Sequence, residues 1–117
     1  MKFISPKLHG IIDYLVVIFL LASPTIFGMT GMLSTGTYAL GVVHLILTLL
    51  TDFSGGVVKL IPLALHGLIE LVVGIALVVI AFTLLKGDAV GELFYTAFGA
   101  AVLVVFFTTD YKGASKV

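Results

Sequence analysis

The sequence predicts an all-α polytopic membrane protein that crosses the bilayer four times as two tandem helical hairpins. Three observations predict this fold. The 117 residues are 61% hydrophobic and only 10% charged, whereas soluble domains carry about 25% charged residues. The apolar residues form four runs that each approach the roughly 20 residues needed to cross about 30 Å of hydrocarbon. Segments of the second half of the chain also match segments of the first half in the same order.

The first span is predicted to begin at Pro6, where Ser5 can cap the helix and the missing N–H of proline is harmless. Apolar residues continue to Ala22, and we expect Ser23-Pro24 to kink or end the helix. Residues 25–36 are rich in Gly, Thr and Ser, which is typical of a turn. The second span then runs from about 37 to 50 and is the shortest of the four.

The second half of the chain is predicted to contain the third and fourth spans. A polar turn at residues 51–56 separates the halves, and Pro62 opens a third span that continues to about Leu85. Lys86-Gly87-Asp88 closes this span, and the fourth runs from about 89 to 109. The longest stretch outside the runs is too short for a separate domain, which usually needs at least about 50 residues. Residues 1–117 are therefore predicted to form a single transmembrane domain.

The lysines predict the orientation in the membrane. One side carries only Lys86, and the other carries Lys2, Lys7, Lys59, Lys112 and Lys116. Because positively charged loops are retained on the cytoplasmic side during insertion, both termini are predicted to be cytoplasmic.

Several classes of function are excluded by what the sequence lacks. The net charge is zero and the lysines are scattered, so nucleic-acid binding is not expected. The chain has no cysteine and therefore no thiolate metal site. It also lacks an HExxH motif, a Gly-rich phosphate loop, a nucleophile elbow and a haem-attachment motif. We therefore predict that the protein is not an enzyme and holds no cofactor.

The internal repeat is the strongest pattern in the chain. Residues 2–53 form the first copy and residues 59–111 the second, at an offset of 57 that becomes 58 beyond the hairpin turn. Two spans per copy predict a parallel repeat, with a two-fold axis near the membrane normal. The matched segments are Lys2-Phe3-Ile4 with Lys59-Leu60-Ile61, Leu8-His9-Gly10-Ile11-Ile12-Asp13 with Leu65-His66-Gly67-Leu68-Ile69-Glu70, Gly41 with Gly99, and Thr51-Asp52-Phe53 with Thr109-Asp110-Tyr111.

One short motif resembles a known family. Ser23-Pro24 followed by Phe27-Gly28 is similar to the Ser-Pro-aromatic motif of SPW-repeat membrane proteins, small bacterial proteins built from a duplicated two-helix unit. Thr25 stands where tryptophan is expected, and the second copy has Ile80-Ala81 at the matching place. The resemblance implies the duplicated fold and a multi-pass location in a prokaryotic plasma (inner) membrane. It implies no catalytic residues.

Two histidine–carboxylate pairs lie inside the predicted spans. His9 and Asp13 are four residues apart on one face of the first helix, and His66 and Glu70 repeat this on the third. From each carboxyl to the end of its run, a helix covers about 23 Å of the roughly 30 Å core. Each carboxyl is therefore predicted to lie about 7 Å inside the cytoplasmic boundary. A charge there costs about 3 kcal/mol or more, so we expect the histidine one turn away to neutralise it.

Three interpretations of these pairs remain open. They can be structural hydrogen-bonded pairs that fix helix contacts. They can instead form, with the central His44, a protonatable or cation-binding site that opens to the cytoplasm. The counterpart of His44 is Val102, so such a site would be asymmetric. In the third interpretation the pairs ligate Zn²⁺ or haem, which their spacing permits without identifying a metal.

Small residues recur at helical spacing on the last two spans. They are Gly67, Gly74 and Ala81 on the third span, and Ala97 and Ala101 on the fourth. Such spacing usually allows close helix packing within a bundle, and one stripe could also serve as a homo-oligomer contact. The function predicted from the sequence is a small accessory or structural membrane protein. The alternative is proton or cation handling, by transport or metal binding, through the histidine–carboxylate pairs.

Overall fold

The computed structural model describes residues 2–53 and 55–111, and Ser54, Lys112 and Lys116 lie outside them. All four helices are long and apolar enough to cross a membrane. The predicted all-α fold with four spans is therefore confirmed. The elements in chain order are α1 (Pro6–Ile26), α2 (Gly31–Leu50), β1 (Thr51–Asp52), β2 (Ile61–Pro62), α3 (Leu63–Phe82) and α4 (Ala89–Thr108).

The long turn predicted at residues 25–36 is wrong. Helix α1 continues through Pro24 to Ile26, and α2 begins at Gly31, so the connection is short and α2 has 20 residues. The prediction was based on the preference of Gly, Ser and Thr for turns. In lipid, however, every backbone group needs an internal partner, which favours helix over irregular chain. A polar side chain in the span also finds an internal partner: the Thr37 hydroxyl donates to the Leu33 carbonyl one turn earlier.

The other helix ends lie close to their predicted positions. Ser5 caps α1 by accepting a hydrogen bond from the Leu8 N–H, as its place before Pro6 predicts. Helix α3 ends at Phe82, three residues before the predicted end. A turn follows it, in which the Thr83 N–H donates to the Ile80 carbonyl.

Matched glycines allow close packing within each hairpin. Gly41 of α2 lies against the side chains of Leu20 and Leu21 on α1. Its counterpart Gly99 of α4 lies against Leu77 and Val78 on α3, the residues that the repeat aligns with that leucine pair. A methyl group at either glycine would approach these side chains to about 2.8 Å. Glycine is therefore what lets the two helices of each hairpin approach this closely.

Short backbone pairings join the two halves at one end of the bundle. Strands β1 and β2 are parallel and pair Thr51 with Ile61, while an isolated parallel bridge pairs Ile4 with Thr109. The start of each predicted repeat thus pairs with the end of the other. This exchange places Thr51 near α3 and Thr109 near α1, and both threonines are fully buried.

The apolar core lies toward the other end of the bundle, and its outer surface is strongly apolar. Leu20 and its repeat counterpart Leu77 are buried there together with Ala81, Phe94 and Tyr95. Large apolar side chains on the outer faces remain exposed in the isolated chain. A lipid bilayer is the environment that accommodates such a surface.

Candidate functional site

The two predicted histidine–carboxylate pairs meet in one buried group. His9 and Asp13 project from α1, and His66 and Glu70 project from α3. The four residues are 0 to 5% exposed, and one ligand-type atom from each lies within 4.8 Å of the others. We call these four residues the central cluster.

Each histidine contacts both carboxylates of the central cluster through Nε2. Between the two helices, His9 Nε2 lies 3.0 Å from Glu70 Oε1, and His66 Nε2 lies 3.0 Å from Asp13 Oδ2. Along its own helix, each Nε2 lies 3.3 or 3.2 Å from the carboxylate one turn away. The expected neighbours along each helix are therefore present. The shorter contacts between helices merge the two predicted pairs into a single site.

Two threonines hold the other ring nitrogen of each histidine. The Thr109 hydroxyl donates to the Val105 carbonyl at 2.6 Å, so its oxygen accepts from His9 Nδ1 at 2.8 Å. Thr51 donates in the same way to Leu47 at 2.6 Å and accepts from the second histidine of the cluster at 2.7 Å. A hydroxyl has only one proton to donate, so Nδ1 is the protonated nitrogen in both rings.

The protonated Nδ1 determines what the rest of each ring presents. A neutral imidazole protonated at Nδ1 has a lone pair on Nε2. Both Nε2 atoms would then turn lone pairs toward two carboxylates, so four acceptors would face one another in a buried space. Such an arrangement is stable only with positive charge among the acceptors, carried by protons or by a metal ion.

Two buried atoms of the cluster lack a hydrogen bond among the described residues. They are Asp13 Oδ2 and His66 Nε2, which lie 3.0 Å apart without the angles that a hydrogen bond requires. Most buried polar atoms in proteins are satisfied, so an orphan pair of this kind needs an explanation. A cation that both atoms contact would supply one.

Each carboxylate has one further contact that the other does not share. His44 of α2 places Nε2 3.4 Å from Asp13 Oδ1. The Tyr111 hydroxyl donates to Glu70 Oε1 at 3.3 Å. Burial and the adjacent negative charge of Glu70 raise the pKa of Tyr111 above its ordinary value, so the hydroxyl keeps its proton at neutral pH.

Sequence reasoning singled out His44 but missed Thr51, Thr109 and Tyr111 as contacts of the site. The signal that could have identified them was the repeat itself. It aligns a Thr-Asp-aromatic segment at the end of each copy. A polar residue that recurs beside a predicted membrane boundary is a reasonable candidate partner for a recurring histidine.

Two cavities adjoin the central cluster. One has a volume of about 150 Å³ and is lined by residues of all four helices, including Asp13, His44 and Glu70. A second, of about 50 Å³, is lined by His44 and Glu70 with residues of all four helices, among them Val102. The remaining lining of both cavities is apolar. The carboxylates therefore border space large enough for a small ion or a few water molecules.

In comparisons with known proteins, no protein family, curated protein or solved structure matches the chain.

Proposed function

We propose that this small four-helix membrane protein takes up a cation at the central cluster. The single observation that carries the proposal is the convergence of two histidine Nε2 atoms on two buried carboxylates, with both Nδ1 atoms held by threonine hydroxyls. Intramembrane ionisable groups arranged in this way often mark ion or proton sites. The adjoining cavities give such an ion space beside its ligands.

The charge of the cluster sets how much positive charge it takes. With neutral histidines, Asp13 and Glu70 together carry a charge of −2. Isolated charges at this depth are expensive, so the arrangement is most stable when two positive charges are bound. Two protons on the histidines or one divalent cation meet this requirement equally. Exchange of one for the other leaves the charge inside the membrane unchanged.

Flux measurements in liposomes test the proposal. Asp13→Asn and Glu70→Gln preserve size and remove the negative charge, so we expect them to abolish proton or divalent-cation flux under an imposed gradient. Glu92→Gln, at the start of α4 and outside the central cluster, is the matched control and should keep the flux. The proposal fails if the wild-type protein carries no flux, gains no thermal stability from any divalent cation, and is no more stable than its amide variants.

A second candidate is the accessory or structural role, which one observation favours. The shortest contacts of the cluster run between α1 and α3 and so connect one hairpin to the other. In this case Asp13→Asn should cost little, whereas Asp13→Leu or Glu70→Leu should lower the free energy of unfolding by about 1 to 2 kcal/mol. Unfolding in detergent measures this difference. Loss of flux without loss of stability in the amide variants would contradict a purely structural role.

The setting of the protein is also a proposal. The lysine distribution supports cytoplasmic termini, and the SPW-like motif supports a prokaryotic plasma membrane. The stripe of Gly67, Gly74 and Ala81 is buried within the chain, where Gly74 lies against α4. Ala97 and Ala101 instead line an open apolar groove between α1 and α4, so a homo-oligomer contact would use α4. Catalysis, a resident cofactor and nucleic-acid binding are not part of the proposal.

A further inference from the structure

We infer that the central cluster is a zinc-type metal site, in which His9, Asp13, His66 and Glu70 are ligands and Thr51 and Thr109 are positioning residues. The inference rests on the proposed function and names the cation. Its first support is the chemistry of the donors. Two imidazole nitrogens and two carboxylate oxygens form a ligand set that Zn²⁺ binds in tetrahedral geometry.

The distances within the cluster suit this geometry. Zn–N and Zn–O bonds of about 2.0 to 2.2 Å in a tetrahedron place neighbouring donor atoms about 3.3 to 3.6 Å apart. The closest contact in each of the four histidine–carboxylate pairs is 3.0, 3.0, 3.2 or 3.3 Å, and both oxygens of each carboxylate take part. The most widely separated donors are within 4.8 Å, so a bound ion would draw them together by small side-chain movements.

The orphan atoms provide the second, independent support. Asp13 Oδ2 and His66 Nε2 are buried and close, yet their angles exclude a hydrogen bond between them. Two metal-ligand atoms whose lone pairs point toward a shared ion, rather than toward each other, have this geometry. Both side chains are at least 97% buried, so bulk water does not satisfy these atoms.

The threonines supply the orientation that metal sites require. A histidine ligand usually donates its other ring N–H to an oxygen acceptor, which fixes the tautomer and the ring plane. Thr109 does this for His9, and Thr51 does it for His66. Each hydroxyl is itself fixed by its bond to the carbonyl four residues earlier. The same arrangement therefore occurs twice, once for each histidine ligand.

The ligand set also discriminates among metals. Ca²⁺ and Mg²⁺ prefer six or more oxygen ligands, which the cluster does not offer among the described residues. Soft ions such as Cu⁺ prefer thiolates, and the chain has no cysteine. First-row divalent ions that bind imidazole remain, and Co²⁺ can replace Zn²⁺ as a spectroscopic probe because its visible absorption reports tetrahedral coordination.

The experiment measures metal binding to the full chain, purified in detergent without a polyhistidine tag. We expect one Zn²⁺ per chain, competition between Zn²⁺ and Co²⁺, and a tetrahedral Co²⁺ spectrum. Thr51→Val and Thr109→Val should each weaken binding by about 10- to 100-fold, whereas Thr→Ser at the same positions should restore it. The Co²⁺ spectrum should also change in the valine variants, which a merely structural role of the threonines would not cause.

Thr48→Val is the matched control. Thr48 is a buried threonine of α2 whose hydroxyl donates to the carbonyl of His44, outside the central cluster. Its replacement should leave zinc affinity within about twofold of the wild type, because no ligand loses its orientation. Far-ultraviolet circular dichroism and elution volume confirm that each variant is folded before its affinity is compared.

Three outcomes would overturn the inference. The first is a wild-type protein that binds neither Zn²⁺ nor Co²⁺ but whose proton flux is lost in Asp13→Asn and Glu70→Gln. That result removes the metal site and leaves the proposed function standing. The second is zinc binding that persists in folded His9→Ala and His66→Ala variants, which would place the ion elsewhere. Absence of both binding and flux would remove the inference and the proposed function together.

Discussion

The N-terminal hairpin (α1 and α2) and the C-terminal hairpin (α3 and α4) share their main contacts. They differ in the additional contact that each carboxylate of the central cluster makes. Both place a glycine between packed helices, and both supply a histidine whose Nδ1 donates to a threonine of the other half-chain. Asp13, however, has an additional contact with His44, whereas Glu70 accepts a hydrogen bond from Tyr111. The contacts that both hairpins share involve the ligands of the proposed metal site. The contacts that differ involve residues around those ligands.

This difference separates two kinds of residue. The matched residues bring the donors together, and a change in one copy has a counterpart in the other. The residues that differ, His44 with Val102 and Phe53 with Tyr111, each alter the surroundings of a single carboxylate. We therefore expect changes at matched positions to have larger effects than changes that make one hairpin resemble the other.

The two hairpins can be equivalent only if both enter the membrane from the same side. Because the native chain has no cysteine, single cysteines can be introduced at Thr30, Leu84 and Val57. The first two lie in the turns of the two hairpins and should react with an impermeant thiol reagent from the same, outer side. The third lies in the segment between hairpins and should react only after the cytoplasmic side is opened. Reaction of the two turn cysteines from different sides would exclude a parallel repeat.

Matched glycines beside the cluster provide the next largest effect. A methyl group at Gly10 would overlap the ring of Phe53, and one at Gly67 would approach the Tyr111 ring to 2.8 Å. Each Gly→Ala change should lower the free energy of unfolding by about 1 to 3 kcal/mol, because a packed ring must move. Unfolding in detergent measures the loss.

A double-mutant cycle tests whether each glycine acts through its own neighbouring ring. Phe53→Ala removes the overlapping ring and should recover stability in Gly10→Ala but not in Gly67→Ala. Recovery in both variants would show that the two glycines do not act through separate, matched rings.

Tyr111→Phe makes the C-terminal hairpin resemble the N-terminal one. It removes one hydrogen bond to Glu70 and should lower the free energy of unfolding by about 1 kcal/mol. Because the pKa of Tyr111 is raised by burial, the folded state keeps the proton when the unfolded state loses it near pH 10. Wild-type stability should therefore be constant relative to the variant from pH 6 to about 9 and should fall toward it above about 10.

The control for this substitution is Tyr38→Phe on the exposed surface of α2. It should change stability by less than about 0.5 kcal/mol at any of these pH values. A pH dependence that is identical in both variants would contradict the assignment of the effect to Tyr111.

His44→Val makes the N-terminal hairpin resemble the C-terminal one and should have the smallest effect. The 3.4 Å contact of His44 with Asp13 lacks hydrogen-bond geometry, so its removal should cost about 0.5 kcal/mol. Zinc affinity, measured by competition with a chromophoric chelator, should stay within a few-fold of the wild type. An effect as large as that of His66→Ala would make His44 a ligand and the site asymmetric.

Much of the architecture could be read from the chain alone, since hydropathy and helical spacing are local properties. Four apolar runs gave four spans, and the spacing of His9 with Asp13 placed both on one helix face. The turn predicted at residues 25–36 was the main error, because the turn preferences of Gly, Ser and Thr were derived from water-exposed chains. Lipid leaves no alternative partner for the backbone, and α2 therefore begins at Gly31.

The central cluster depended on distances that no local pattern contains. His9 is 100 residues from Thr109 and 61 from Glu70, and the sequence could say only that each histidine has a carboxylate one turn away. The pairing of each half-chain's start with the other's end brings Thr51 and Thr109 to the rings. The sequence by itself determined which residue types enter the membrane and on which helix face they lie. The tertiary structure alone decided that two separate pairs become one site, because contacts between helices depend on how the hairpins pack and not on spacing along either helix.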